Sequence, residues 1–219
     1  MRICFVSPAK GFLTISYSGS TSNISRRKYN RVGMKSRKSK HLEQLLDTLK
    51  LDSEEKEVGA TWKPPHVLVL VGIPGAGKTT FASRLVERGW VRVCQDVLGT
   101  RTKCERVATS SIMEGKNIVI DRCNFNRKQR EPWVRIAEAG KCQIGTVVFA
   151  LAWEACLERV LDRAYHETLT PERADSVIRG MASEMHLPRQ EEGFDFGRII
   201  RTRDDFESVF EEVCSEQAR

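Results

Sequence analysis

An apolar, β-branched-rich run, His66-Val67-Leu68-Val69-Leu70-Val71, breaks at Gly72 and enters Ile73-Pro74-Gly75-Ala76-Gly77-Lys78-Thr79-Thr80 before a second apolar stretch begins at Phe81. No other part of the chain restricts its fold as strongly. Gly72, Gly77, Lys78 and Thr79 stand at the spacing G-x-x-x-x-G-K-[ST], which has mechanical meaning only between a strand and a helix. Glycines let the backbone wrap with its N–H groups turned inward, and the N-terminus of the following helix adds partial positive charge, so such a loop cradles phosphate. The expected nucleotide-binding residues are Gly72, Pro74, Gly75, Ala76, Gly77, Lys78, Thr79 and Thr80. Lys78 is expected to reach the β- and γ-phosphates of ATP, and the Thr79 hydroxyl to be a Mg²⁺ ligand.

Downstream of this loop, strand and helix patterns alternate. The spacing predicts strands at 66–71, 91–93, 117–121, 143–149 and 197–201. Helices are predicted at 78–88, 101–114, 126–139, 153–163, 172–185 and 204–214. Gly89, Gly115 and Gly140 fall where helix C-caps belong. This rhythm predicts an α/β fold, a three-layer P-loop NTPase of kinase type with a parallel sheet flanked by helices. Ligand chemistry in such a sheet lies at the carboxyl ends of the strands.

Asp96 follows the second strand, where a carboxylate can face the γ-phosphate across the cleft. Transfer to an alcohol needs an acceptor for the hydroxyl proton, and Asp96 is the candidate general base. A helix N-cap is the alternative role for that position. The third strand ends in Ile118-Val119-Ile120-Asp121, the form of a Walker B strand whose carboxylate holds Mg²⁺ directly or through water. Arg122 and Asn124 just beyond it contact an acceptor or satisfy loop backbone groups. On the helix after the fourth strand, Arg159 and Arg163 share one face. Arginine offers a planar fork to the charge that develops on transferring phosphate, so Arg159 is a candidate phosphate-binding residue and Arg163 a candidate catalytic one bordering a lid-like break at 165–171. The alternative is an exposed face with pairs to Glu158 and Asp162. His166 is assigned no catalytic role.

The net charge of +7 belongs to one end of the chain. Of 36 basic residues, ten fall in 1–40, which hold no acid; the remaining 26 face all 29 acids. Residues 1–40 therefore read as a basic tail or targeting segment, directing the chain to the nucleus or, alternatively, to mitochondrion or chloroplast. Nucleic-acid binding by the remainder needs a local patch. Leu42, Leu45, Leu46 and Leu49 predict a short amphipathic helix that docks on the domain or binds a protein partner, and 41–60 reads as that helix with a linker. The kinase-type domain is placed at 61–219, as a monomer. Seven scattered cysteines without C-x-x-C pairs argue against a disulfide framework or a zinc site. No apolar run reaches the length of a membrane span.

In order along the chain stand G-I-P-G-A-G-K-T-T-F, C-Q-D-V-L-G-T, I-D-R-C-N, the helix bearing Arg159 and Arg163, and Pro188 with Glu192-Gly193-Phe194. In these motifs the chain resembles polynucleotide 5′-hydroxyl kinase domains, as in bifunctional polynucleotide kinase/3′-phosphatases and plant aprataxin-like proteins, over roughly 64–215. The resemblance implies transfer of the ATP γ-phosphate to a 5′-hydroxyl end of DNA or RNA, with Asp96 as base, Lys78 and Thr79 on phosphate and Mg²⁺, and a lid arginine. Two departures stand out: no D-x-D-G-T phosphatase motif occurs, and the four histidines are isolated, so no histidine triad exists. The family's basic residue after the catalytic Asp is matched loosely, by Arg101 or Lys103.

Two other functions compete. A P-loop kinase of a small-molecule alcohol would use the same Asp96 chemistry, and the near-neutral charge of 41–219 fits it. A nucleotide-binding module without transferase activity would need neither Asp96 nor the paired arginines. Arg101, Lys103 and Arg106 on one helix favour a phosphodiester acceptor.

Overall fold

The computed structural model describes residues 65–162 and 169–215. The expectations for 1–60, for Arg163 and for 165–168 lie outside the described residues. Five strands form one sheet: β1 (His66–Val71), β2 (Val91–Cys94), β3 (Ile118–Asp121), β4 (Gln143–Phe149) and β5 (Phe196–Ile200). Their order is β2-β3-β1-β4-β5, with every neighbouring pair parallel. Parallel neighbours require crossovers. Among the described residues these are supplied by α1 (Lys78–Glu87), α2 (Gln95–Leu98), α3 (Arg101–Met113), α4 (Arg127–Ala139), α5 (Trp153–Leu161) and α6 (Pro171–Ser183), with α7 (Arg203–Ser215) following β5. This is the expected three-layer P-loop kinase architecture.

The central strand explains why β1 reads as an uninterrupted apolar run. Leu68 and Leu70 enter one core with Phe81, Leu85, Phe149 and Phe210; Val67, Val69 and Val71 enter the other with Ala108, Trp133 and Val148. A strand covered on both faces needs apolar side chains at both parities. All six β1 residues are buried, each apolar one stabilising by about 1.5–3 kcal/mol relative to exposure. Val119 of β3 belongs to the first core and Ile118 and Ile120 to the second, so Asp121, in step with Val119, lies on the α1 face of the sheet.

The helix starts follow local chemistry. Thr100 caps α3 by accepting from the Lys103 N–H, and Asn126 caps α4 by accepting from the Gln129 N–H. One detail differs from the sequence reading. Gln95–Leu98 forms an extra helical turn that no apolar periodicity announced, since none of its residues is buried. Gly140 ends α4 at φ −83° and Lys141 takes the left-handed conformation at φ 52°. A Cβ on Gly140 would stand 2.6 Å from Ile112 Cγ2, so close approach of α4 to α3 demands the glycine there.

Candidate active site

The loop between β1 and α1 is held from both sides. The Gly72 N–H donates to the Cys123 carbonyl, 3.0 Å away in the loop after β3. Gly75 (φ 84°) and Gly77 (φ 104°) adopt left-handed backbone, and a Cβ on Gly75 would overlap the Cys156 carbonyl of α5. Gly77 is the N-cap of α1 and has no side chain to cap it, so the first N–H groups of α1 receive no side-chain acceptor. Ala76 is buried; Thr79 and Thr80 are exposed at the start of α1.

Lys78 is 7% exposed, and its ammonium donates to the Ile73 carbonyl across the loop at 2.9 Å. That is its one hydrogen bond among the described residues, from a group with three donors, and no carboxylate pairs with it. A buried ammonium in this condition is incompletely compensated and draws an anion. Cys156 sits beside it: burial pushes that thiol up to about 11, while Arg159 and Lys78 pull the other way. Arg159 stands one turn from Cys156 on α5, and its charge acts on that thiol. It is exposed and forms no pair with Glu158 or Asp162.

Asp121 ends β3 with its side chain 4% exposed. Its Oδ2 accepts from Arg92 Nε at 2.8 Å and lies 2.5 Å from Arg92 Nη2. Cys94 is opposite Asp121 in the register, so Arg92 reaches it diagonally from two residues back on the same face. The other oxygen, Oδ1, has no hydrogen bond among the described residues. One hydroxyl (Thr79) and one carboxylate oxygen, with nucleotide phosphates and waters completing the shell, is a donor set of the kind Mg²⁺ takes. The residues present fit ATP with Mg²⁺.

Asp96 lies in the first turn of α2 and is exposed. It is not a cap: Cys94 stands at the N-cap of α2 and Thr100 at that of α3. Arg122, directly after Asp121, is half-buried, with its guanidinium carbon 5.9 Å from the centre of the Trp133 ring. Its guanidinium makes no hydrogen bond or salt bridge with any described residue, while its carbonyl accepts from Asn124 Nδ2 at 3.3 Å. Burial lowers its pKa from the ordinary guanidinium value, Arg101 adds to the lowering, and Cys104, Cys123 and Asp96 oppose it. Arg101 itself is tied to Glu105 at 2.7 Å. Asp96 and Arg122 thus share the carboxyl edge of β2 and β3.

Of the two roles open to Asn124, the structure assigns the backbone one. It is fully buried at φ 46°, its Nδ2 donates to the Leu70 carbonyl at 2.8 Å, and its Oδ1 accepts from Trp133 Nε1 at 3.2 Å. Sequence reasoning missed Arg92 and Arg130. Arg130, fully buried, donates to Glu192 through Nε (2.8 Å) and Nη2 (2.6 Å) and to the carbonyls of Asn124 and His186. The signal was available: Arg130 stands with Trp133, Val134 and Ala137 on the apolar face of α4, and a charge there needs a buried carboxylate. Glu192 of the E-G-F motif is that carboxylate.

Comparison with known proteins agrees with this architecture. The family model described as AAA domain matches residues 67–111 and 99–188, more than half of the chain. Transcription factor bHLH140 of Arabidopsis thaliana is 34% identical over 160 residues, which are 69% of this chain and 17% of that protein. The bifunctional polynucleotide phosphatase/kinase of Schizosaccharomyces pombe is 31% identical over 130 residues, 59% of this chain and 32% of that protein. The matched region therefore spans no more than about a third of these curated relatives. Among solved structures, a fungal RNA kinase superposes with TM-score 0.54 at 13% identity, over 71% of this chain and 88% of that one. Chaetomium thermophilum Kti12 in complex with ADP-AlF3 superposes with TM-score 0.53 at 13% identity, over 68% and 98%. No helix among the described residues is long and apolar enough to cross a membrane.

Proposed function

The chain belongs to the AAA-domain family of P-loop proteins and has the kinase form of that fold, and from that premise we propose that it transfers the γ-phosphate of ATP to the 5′-hydroxyl end of a polynucleotide. The observation that carries the reading is Lys78, a buried cation with one carbonyl partner inside a loop whose helix N-terminus has no side-chain cap. In the proposed reaction its ammonium leaves Ile73 for the β- and γ-phosphates. Thr79 and Asp121 hold Mg²⁺, which when bound offsets phosphate charge. Arg159, and Arg163 beyond the described residues, neutralise the charge that moves onto the leaving ADP oxygen.

On the acceptor side, Asp96 takes the hydroxyl proton as the new O–P bond forms and the bond to ADP breaks. Arg122 meets a phosphate of the acceptor. A half-buried guanidinium without a salt bridge among the described residues suits an acceptor that brings an anion, which separates a polynucleotide end from a neutral sugar or nucleoside. The name of the Schizosaccharomyces pombe relative supports the same acceptor class. The basic segment 1–40 is proposed to direct the chain to the nucleus, and a fluorescent fusion of 1–60 found in an organelle would refute that.

The deciding assay offers the full chain γ-labelled ATP with 5′-hydroxyl DNA, 5′-hydroxyl RNA and a panel of neutral alcohols. Label is expected on polynucleotide ends. Label confined to a neutral alcohol overturns the acceptor assignment, and none at all with ATP still bound leaves a binding module. Asp96→Asn is expected to lower transfer at least about a hundredfold with ATP affinity retained; loss of both together would remove Asp96 from the role of base.

A further inference from the structure

The proposed reaction has no use for Arg92, yet this residue holds the carboxylate assigned to the metal. Both cations draw on Asp121. Arg92 Nε and Nη2 converge on Oδ2 at 2.8 and 2.5 Å, and Oδ1 has no hydrogen bond among the described residues. The pair is constrained: Asp121 is 4% exposed and Arg92 26%, both on the α1 face of the sheet, and the register fixes their diagonal contact. Thr79 lies in the first turn of α1, the helix that packs on that same face. The guanidinium also lies 3.5 Å from Cys94 Sγ, so it is flanked on its own strand as well.

A carboxylate already neutralised by a guanidinium offers less to a divalent ion, and the fixed cation repels that ion at short range in a poorly solvated setting. Triphosphate oxygens must then supply most of the attraction. Resting on the reading that Asp121 and Thr79 hold Mg²⁺, we propose that Arg92 is a positioning residue that makes divalent-ion binding conditional on nucleotide. Nucleotide-free protein holds the ion weakly, and the ion enters with the phosphates. By linkage, the ion tightens nucleotide by the same factor that nucleotide tightens the ion.

The test uses the full chain and Mn²⁺ as probe, with free Mn²⁺ counted by electron paramagnetic resonance, without nucleotide and with ADP. Wild type is expected to bind Mn²⁺ weakly alone and at least about tenfold more tightly with ADP. In Arg92→Met the affinity without nucleotide should rise by about tenfold or more, shrinking the gap between the two conditions. Arg92→Gln keeps a donor to Oδ2 and removes the charge; it should show the same rise, and it decides the matter if the Met variant does not fold. An unchanged nucleotide-free affinity in a folded variant overturns the proposal. Asp121→Asn separates the two levels. If it does not weaken Mn²⁺ binding with ADP present, the metal reading itself fails. If it does weaken binding while the Arg92 variants match wild type, only the conditional role of Arg92 is lost.

Discussion

Two buried cations, Lys78 at the start of α1 and Arg130 in α4, could hardly be partnered more differently. Arg130 is fully buried and has its charge matched by Glu192, with its remaining donors on the carbonyls of Asn124 and His186. Lys78, nearly as buried, has one carbonyl and no counter-charge among the described residues. Burial therefore does not separate a structural charge from one proposed to bind nucleotide; the criterion proposed to separate them is the count of partners. A cation whose donors are all met inside the chain holds segments together. One left short of partners has been positioned for something the chain does not contain.

The largest effects should come from exchanging these two roles. Arg130→Met leaves Glu192 buried without a counter-charge and frees two backbone segments, and it is expected to cost about 3–5 kcal/mol of stability by urea unfolding. Lys78→Met removes a poorly compensated charge, so stability should stay within about 1 kcal/mol of wild type or rise, while ATP binding is lost in a fluorescent-nucleotide titration. If Lys78→Met unfolds the protein as Arg130→Met does, partner count has failed as a criterion.

That contrast also marks what the sequence could reveal. Contiguous features were legible. The loop from Gly72 to Thr80 encodes its own backbone path, the spacing put the starts of α3 and α4 within a residue of where they lie, and the apolar run of β1 fits a strand covered on both faces. Asp96 and Asp121 were legible as strand ends. Arg92 was not, and Arg130 showed only as a charge on an apolar helix face, because the carboxylates they meet lie 29 and 62 residues away. The α2 turn escaped because it buries nothing, and periodicity reports only burial. Asn124 was seen as a loop residue with two possible roles. Its fixed position, bonded to Leu70 and Trp133, became visible only with the sheet assembled.

His66 adds a third response to burial, which is to give up the charge. It is 1% exposed at the start of β1, stacked on Trp90 with ring centroids 6.5 Å apart, and burial lowers its pKa from 6.5 to about 4. The folded state thus holds the neutral ring, and the unfolded chain takes up a proton first as pH falls. This contribution is complete above about pH 6.5, is lost as pH drops toward about 4, and amounts to about 3 kcal/mol over that window. His66→Phe should remove that part of the pH dependence. The measurement is the difference between wild type and variant in urea midpoint at about pH 7 and about pH 4, which cancels carboxylates common to both. Parallel pH profiles would show that His66 charges freely in the folded protein.

The smallest effects on stability should appear at the rim, where the same contrast recurs between exposed and half-buried arginines. Arg101 is paired with Glu105 four residues on, at the surface, and Arg101→Gln should change stability by less than about 0.5 kcal/mol. Arg122 has no such partner and rests beside Trp133 and Asp96, so Arg122→Gln should be neutral or slightly stabilising. The two differ in what a substrate feels. Removing Arg122 should raise the KM for a 5′-hydroxyl oligonucleotide by about tenfold or more, with ATP affinity unchanged, because the lost contact is a charge-assisted bond to an acceptor phosphate. Removing Arg101 should raise it by less than about threefold, since a guanidinium already occupied by Glu105 offers less to a second anion. Equal KM shifts from both variants would mean that the acceptor is drawn by general positive charge along this edge. Partner count would then distinguish buried cations only, and the rim would have to be understood by its field.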